Sequence, residues 1–172
     1  MAASTESVYR TARRAFIAAC EAAHVDPIAR VHPAKDKDGK PLFMDCAALG
    51  PRLATRAVLV IANDAPGSAI MVALPKQKFA LPQDGRLVLV HALDPAAFAG
   101  VKSDPAWPDA MLATVATEDL SRVRDLAVLP LITTESPQAP LAAALPRSVI
   151  TLLPPVNSLR QAEAAITGFF GR

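Results

Sequence analysis

The stretch VLVIANDAPGSAI, Val58 to Ile70, decides the fold. Its first half is apolar without polar alternation, which is the pattern of a strand covered on both faces of a sheet. Its second half holds Asn63 and Asp64 as possible helix caps, followed by a Gly67-Ser68 helix start. A buried strand that runs directly into a helix is the repeating unit of α/β proteins, and ligands bind where such strands end. The stretch therefore predicts a parallel sheet flanked by helices and marks its own junction as a candidate site.

Other short runs rich in Val, Ile and Leu repeat the pattern of this strand. The four predicted strands are Ala57 to Ala62, Leu87 to Ala92, Leu126 to Thr133 and Ser148 to Leu153. Because these runs lack polar alternation, we expect mostly parallel strands with helices between them. The polar connector HPAKDKDGKPLF carries Gly39 and predicts an exposed hairpin or turn. The segment Asp45 to Arg56 is ambiguous, with Gly50-Pro51 arguing for a break.

Helices are predicted from capping residues and from apolar spacing of three and four residues. The predicted helices are one capped by Ser4 or Thr5 and ending near His24, one from Gly67 to Phe79 bent or ended at Pro75, one from Thr117 to Leu126, and one opened by Asn157 or Ser158 and closed by Gly171. Together with the strands, they predict a single α/β domain over residues 1–172.

Composition and charge exclude several classes of function. Hydrophobic residues make up 52% of the 172 residues and charged residues 20%, which predicts a compact interior rather than disorder. The net charge of +2 is spread along the chain, so we expect no nucleic-acid partner. No apolar run reaches the ~20 residues of a membrane-spanning helix, which predicts no membrane partner and a cytoplasmic location. Cys20 and Cys46 lack the spacing of a zinc cage or disulfide framework.

A set of short motifs in the first hundred residues resembles a known family. In chain order they are His32-Pro33, Gly39, Asp45, Leu49-Gly50-Pro51, Gly67-Ser68-Ala69 and His91-Ala92-Leu93-Asp94-Pro95. Their order and spacing resemble the N-terminal half of a bacterial branch of the zinc-carboxypeptidase superfamily, a branch known as a domain of unknown function. The resemblance covers residues 7–100 and leaves 101–172 as a divergent remainder. It implies a shortened three-layer α/β/α fold.

The chain departs from that family where the metal would bind. The family places a His-x-x-Glu zinc pair between the first strand and the Gly-Ser-Ala helix start, whereas this chain has Asn63-Asp64-Ala65-Pro66 there. No histidine follows His91, so the family's later histidine ligand has no counterpart. Catalytic zinc typically needs about three protein donors. We therefore expect no metal and no cofactor, and peptidase activity is not carried over.

Four side chains near the predicted strand ends could still support chemistry. His91, Asp94, Asp64 and Ser68 are candidates for a rearranged catalytic set in a small hydrolase or ligand-binding enzyme. The alternative interpretation is structural: His91 would bond to loop backbone, Asp94 would cap a turn, and Asp64 with Asn63 would cap the helix at Gly67. We favour the structural interpretation, because a histidine without a placed partner is a poor catalyst.

Two further sets of residues suggest binding. Asn63, Gly67 and Ser68 stand at a helix start whose backbone amides could hold a phosphate or carboxylate. Trp107, in an apparent loop, and Phe169 with Phe170 near the C-terminus are candidate interface aromatics. The leading hypothesis is a non-catalytic, metal-free module for binding, assembly or a subunit role, with a protein partner or a second copy of itself. The rearranged hydrolase is the alternative.

Overall fold

The computed structural model describes residues 7–132 and 138–172, which form a single α/β domain. The helices are α1 (Val8–Ala22), α2 (Ala65–Ala73), α3 (Pro95–Phe98), α4 (Ala106–Asp119), α5 (Gln138–Ala144) and α6 (Leu159–Phe170). The strands are β1 (Ile28–Lys35), β2 (Pro41–Leu49), β3 (Arg56–Ala62), β4 (Gly85–His91), β5 (Asp125–Leu131) and β6 (Val149–Leu152).

The six strands form one sheet in the order β1-β2-β4-β3-β5-β6. β4, β3, β5 and β6 run parallel, whereas β1 and β2 form an antiparallel hairpin that joins the sheet beside β4. The three central parallel strands are buried along nearly their whole length, as their continuous apolar sequences require. The predicted fold class and the four predicted strands are confirmed.

Helices cover both faces of the sheet and make a three-layer domain. On one face α1, α2 and α6 place Phe16, Met71 and Ile166 against the strands. On the other face α4 and α5 contribute Leu112 and Leu141. The three-layer arrangement that the resemblance implies is therefore present, and both faces of the central strands are closed to water.

Helix capping follows the chemistry expected from sequence at two of the predicted starts. The Asp64 side chain accepts from the Gly67 amide at the start of α2, and the Ser158 side chain accepts from the Gln161 amide at the start of α6. α2 gives way to a 3-10 turn at Leu74–Lys76, close to the break predicted at Pro75. Helix α1 is capped by Ser7, while Ser4 and Thr5 lie outside the described residues.

The helix predicted from Thr117 to Leu126 is wrong. The chain is helical earlier, over α4, and enters β5 at Asp125. Thr117 does not cap a helix, since its hydroxyl donates to the carbonyl of Ala113 one turn back, at 2.9 Å. Trp107 consequently lies in the first turn of α4 rather than in a loop, where neighbouring prolines are tolerated because those amides need no partner within the helix.

Tertiary pairing turns the segments around the polar connector into strands. The centre of the connector is the predicted turn, with Gly39 at a φ of 75°. The two ends of the connector pair with each other as parts of β1 and β2. The ambiguous segment from Asp45 begins as the second half of β2 and breaks at Gly50, as predicted. Gly50 has a φ of 97°, and a Cβ there would lie 2.4 Å from the Gly85 carbonyl oxygen. Only glycine fits that crossing.

No helix in residues 7–132 and 138–172 is long and apolar enough to cross a membrane.

Candidate functional site

The parallel strands end along one border of the sheet, here called the carboxyl edge. Ala62 at the end of β3 is paired with His91 at the end of β4 and with Leu131 at the end of β5. The connection from β3 to β4 uses α2 on one face, whereas the connection from β4 to β5 uses α4 on the other. Open α/β sheets bind ligands beside such a reversal. The predicted site residues therefore lie where a site is expected.

Ser68 and His91 meet at this edge although 23 residues separate them in sequence. The Ser68 hydroxyl and His91 Nε2 are 2.7 Å apart, so the two share a hydrogen bond. Ser68 is held by the first turns of α2, and His91 is the last residue of β4. The pair is closed to solvent, with 1% of Ser68 and none of His91 exposed.

The surroundings of His91 keep its ring neutral. Phe16 of α1 stacks on the imidazole with ring centroids 4.8 Å apart. Burial, and secondarily the Arg13 charge, lower the pKa of His91 to about 4. His91 Nδ1 is buried and has no hydrogen-bond partner within the described part of the chain. The ring thus lacks the carboxylate that orients the base in a serine–histidine–aspartate site.

Asp94 does not join the pair. Its Oδ1 accepts from the Ala97 amide at 3.1 Å and caps α3, while its Oδ2 accepts from the Ser103 hydroxyl at 2.6 Å. Its own amide donates to Asn63 Oδ1 at 3.1 Å, which ties the end of β3 to the turn after β4. Asn63 and Asp94 therefore hold two strand ends together.

Asp64 and Gly67 also have structural contacts. Asp64 Oδ1 accepts from the Gly67 amide at 2.7 Å, so this amide is already engaged. A Cβ on Gly67 would lie 3.1 Å from the carbonyl oxygen of Leu131, which is tighter than ordinary contact. Glycine at this position lets the start of α2 approach the end of β5.

The sequence reasoning missed a buried ion pair next to the Ser68–His91 pair. Arg13 Nε and Nη2 donate to the two carboxylate oxygens of Asp45 at 2.7 and 3.0 Å. Asp45 is 1% exposed and lies opposite His91 in the register of β2 and β4. Burial raises the pKa of Asp45, and the bond from Arg13 opposes that rise. An aspartate inside the apolar run LFMDCAAL was the available signal.

His32 of β1 forms a second buried polar position at the carboxyl edge. His32 Nδ1 accepts from the Ala34 amide at 2.9 Å, and its Nε2 is buried with no hydrogen-bond partner among the residues described. The ring packs against Trp107 with centroids 4.5 Å apart. A cavity of about 430 Å³, lined by residues 32–34 and 102–105, opens beside it.

The candidate interface aromatics differ in exposure. Trp107 is half-buried against His32. Phe169 is buried in the core and Phe170 is half-buried against it, with ring centroids 5.3 Å apart. The Phe169 side chain therefore leaves little surface for a partner, and an interface role for these three residues stays a prediction.

The residues of ranges 7–132 and 138–172 contain no group of three or more His, Cys, Asp or Glu side chains that could hold a metal ion.

Comparison with solved structures places this architecture among known folds. A crystal structure of a candidate Zn-dependent exopeptidase from Bacteroides vulgatus is similar, with a TM-score of 0.58 and 9% identity, over 95% of this chain and 87% of that one. At that identity the likeness establishes the fold alone.

Glutaminyl cyclases match less closely. That of Fimbriiglobus ruber gives a TM-score of 0.47 and 10% identity over 71% of this chain, and the chain spans 53% of that protein's length. That of Macrostomum lignano gives a TM-score of 0.47 and 15% identity over 70% of this chain and 45% of that one.

Sequence comparison gives the family. No curated protein sequence matches the chain. A family model described as "Protein of unknown function (DUF2817)" matches residues 6–133, which include His32 and the carboxyl ends of β3, β4 and β5. The chain therefore belongs to the DUF2817 family, within an α/β fold shared with a Zn-dependent exopeptidase-like structure.

Proposed function

We propose that this chain is a metal-free binding module built on an exopeptidase-like scaffold. The observation that carries the proposal is the hydrogen bond between Ser68 and His91. This bond holds His91, at the end of the central strand β4, in a buried and uncharged pair. Asp94 and Asp64 are likewise engaged, the first with Ser103 and the second with the Gly67 amide. Side chains that could perform chemistry serve instead to fix the carboxyl edge.

The described residues at this edge do not fit a catalytic zinc ion. Zinc takes imidazole nitrogens and carboxylate oxygens at about 2.0–2.2 Å, with an open position for water. His91 Nε2 is bonded to Ser68, and the ring is fully buried and stacks on Phe16. Asp64, at the end of β3, is left as a lone carboxylate that caps α2.

The second candidate function is a serine hydrolase, and the same 2.7 Å contact favours it. A general base works best with a pKa near the operating pH, whereas the pKa of His91 is lowered to about 4. Asp94 also bonds to Ser103 rather than to His91. These two facts make the binding module the better-supported function.

One set of measurements separates these functions. Protein purified without a metal-binding tag is analysed for zinc and assayed on peptides with a free C-terminus and on an activated ester. We expect less than a tenth of an equivalent of zinc and no turnover above background. Zinc near one equivalent per chain with peptide cleavage would refute the proposal.

Ester turnover would point to the hydrolase only if it depends on Ser68. The matched variants are Ser68→Ala and Ser148→Ala, because Ser148 is a serine whose hydroxyl donates to the Val123 carbonyl away from His91. Turnover lost in the first variant and kept in the second would replace the binding module by the hydrolase.

A further inference from the structure

We propose that the cavity beside His32, here called the His32 cavity, binds a carboxylate group of a small ligand. The inference deepens the proposed function and rests on it, because it names the ligand class of a binding module. The cavity is lined by residues 32–34 of β1 and 102–105 of the connection to α4. At about 430 Å³ it is large enough for a small organic acid.

His32 brings an unpaired nitrogen to the cavity. Its Nδ1 accepts from the Ala34 amide, so in the neutral ring the hydrogen resides on Nε2. That Nε2–H group finds no hydrogen-bond partner among the described residues, and water does not reach it, since only 5% of the residue is exposed. Leaving a buried donor unsatisfied costs about 1–3 kcal/mol. An acceptor oxygen supplied by a ligand would remove that cost.

The charge around the cavity comes from side chains of its lining and from a helix end. Lys102 is one of the lining residues, and α4 begins at Ala106, directly after the lining segment 102–105, so the positive end of the α4 dipole lies beside the cavity. Asp104 also lines the cavity, but its Oδ1 accepts from the Ala106 amide at 3.0 Å and is engaged at the helix start. One lysine and one helix N-terminus, opposed by the charge of Asp104, suit a singly charged carboxylate better than a doubly charged phosphate.

Trp107 packs against the His32 ring. The two rings are inclined by 61° with centroids 4.5 Å apart. A ring contact satisfies an N–H more weakly than an oxygen does, so a carboxylate oxygen that bonds to Nε2 would change the packing of the indole. We therefore expect the Trp107 ring to shift on binding. Trp107 is the single tryptophan of the chain, so its fluorescence reports this site alone.

The experiment is a fluorescence titration with acetate and with N-acetylglycine at constant ionic strength, with chloride as the reference anion. We expect a saturable change with both carboxylates and none with chloride. His32→Asn keeps an acceptor for the Ala34 amide and removes the Nε2–H, and it should weaken binding at least tenfold. Lys102→Met should weaken it severalfold, whereas Lys37→Met, a lysine in the β1–β2 turn, should leave it unchanged.

Several outcomes would overturn the inference. They are a response to acetate equal to that to chloride, an unchanged affinity in His32→Asn, and an equal loss in the two lysine variants. Inorganic phosphate that binds tighter than acetate would replace the carboxylate by a phosphate ligand. If His32→Asn fails to fold, the two lysine variants decide. These readouts are independent of zinc content and turnover, so failure here and failure of the proposed function can be told apart.

Discussion

Replacing Arg13 by methionine tests the buried ion pair that links α1 to β2. Methionine keeps much of the apolar stem of arginine and removes the guanidinium that holds Asp45. The remaining carboxylate is 1% exposed. The variant therefore leaves a buried charge without its partner, which is the costly way to break such a pair.

The magnitude follows from the burial of the two partners. Breaking a fully buried pair costs about 3–5 kcal/mol. The Arg13 side chain is 23% exposed, so water retains access to its side of the pair and the lower end applies. The guanidinium also lies 4.3 Å from the Phe43 ring centre, a cation–π contact worth about 0.5–1 kcal/mol. We expect a loss of about 3 kcal/mol in the free energy of unfolding at pH 7.

Urea denaturation at several pH values is the assay. Burial raises the pKa of Asp45 and Arg13 opposes the rise, so the variant raises that pKa further. The unfolded pKa of an aspartate is about 3.9. When the folded pKa is higher than this, the group stabilises the fold most at pH values below the unfolded pKa, and this stabilisation is lost as the pH rises through the folded pKa. The deficit of Arg13→Met should therefore be largest at neutral pH and shrink toward pH 4.

Two further variants serve as controls. Arg30→Met breaks the ion pair of Arg30 with Glu118, whose side chains are 31% and 45% exposed, and should cost less than about 1 kcal/mol. The double variant Arg13→Met/Asp45→Asn removes the stranded charge and should be more stable than Arg13→Met alone. The account of a buried pair is refuted if Arg13→Met costs no more than Arg30→Met, or if the double variant is the less stable.

Three further predictions concern glycine, histidine and cysteine. Gly50→Ala should lower the urea midpoint far more than Gly39→Ala, because both have positive φ but only Gly50 meets the carbonyl of Gly85, and equal effects would contradict this. Burial lowers the pKa of His91 to about 4 in the folded chain, so on acidification the unfolded chain takes up the proton first. The free energy of unfolding should therefore fall as the pH drops from about 6.5 toward 4. The variant His91→Gln, measured in parallel, should lose this pH dependence. Burial raises the pKa of both thiols, that of Cys20 to about 11, so a thiol reagent at pH 8 should react with the two only in denaturant.

The sequence by itself determined the four parallel strands and the positions of their ends, whereas the β1–β2 hairpin came from tertiary pairing. The runs that became β3, β4 and β5 are apolar throughout, and such runs are stable only when covered on both faces, which leaves helices on either side. The Asp64 and Ser158 caps were also readable, because a cap bonds to an amide three residues away. α4 was misplaced, because prolines near its start resemble a loop when packing against the sheet is unknown.

Only the tertiary structure decided which polar side chains meet. Ser68 was paired with His91 across 23 residues, and Arg13 with Asp45 across 32. His32 lies against Trp107, although the prolines beside Trp107 predict a loop there. The physical reason is that local patterns report burial and bonds within one turn, whereas contacts between distant residues depend on strand order and register. Those are fixed only when the whole sheet and its two helical layers pack together.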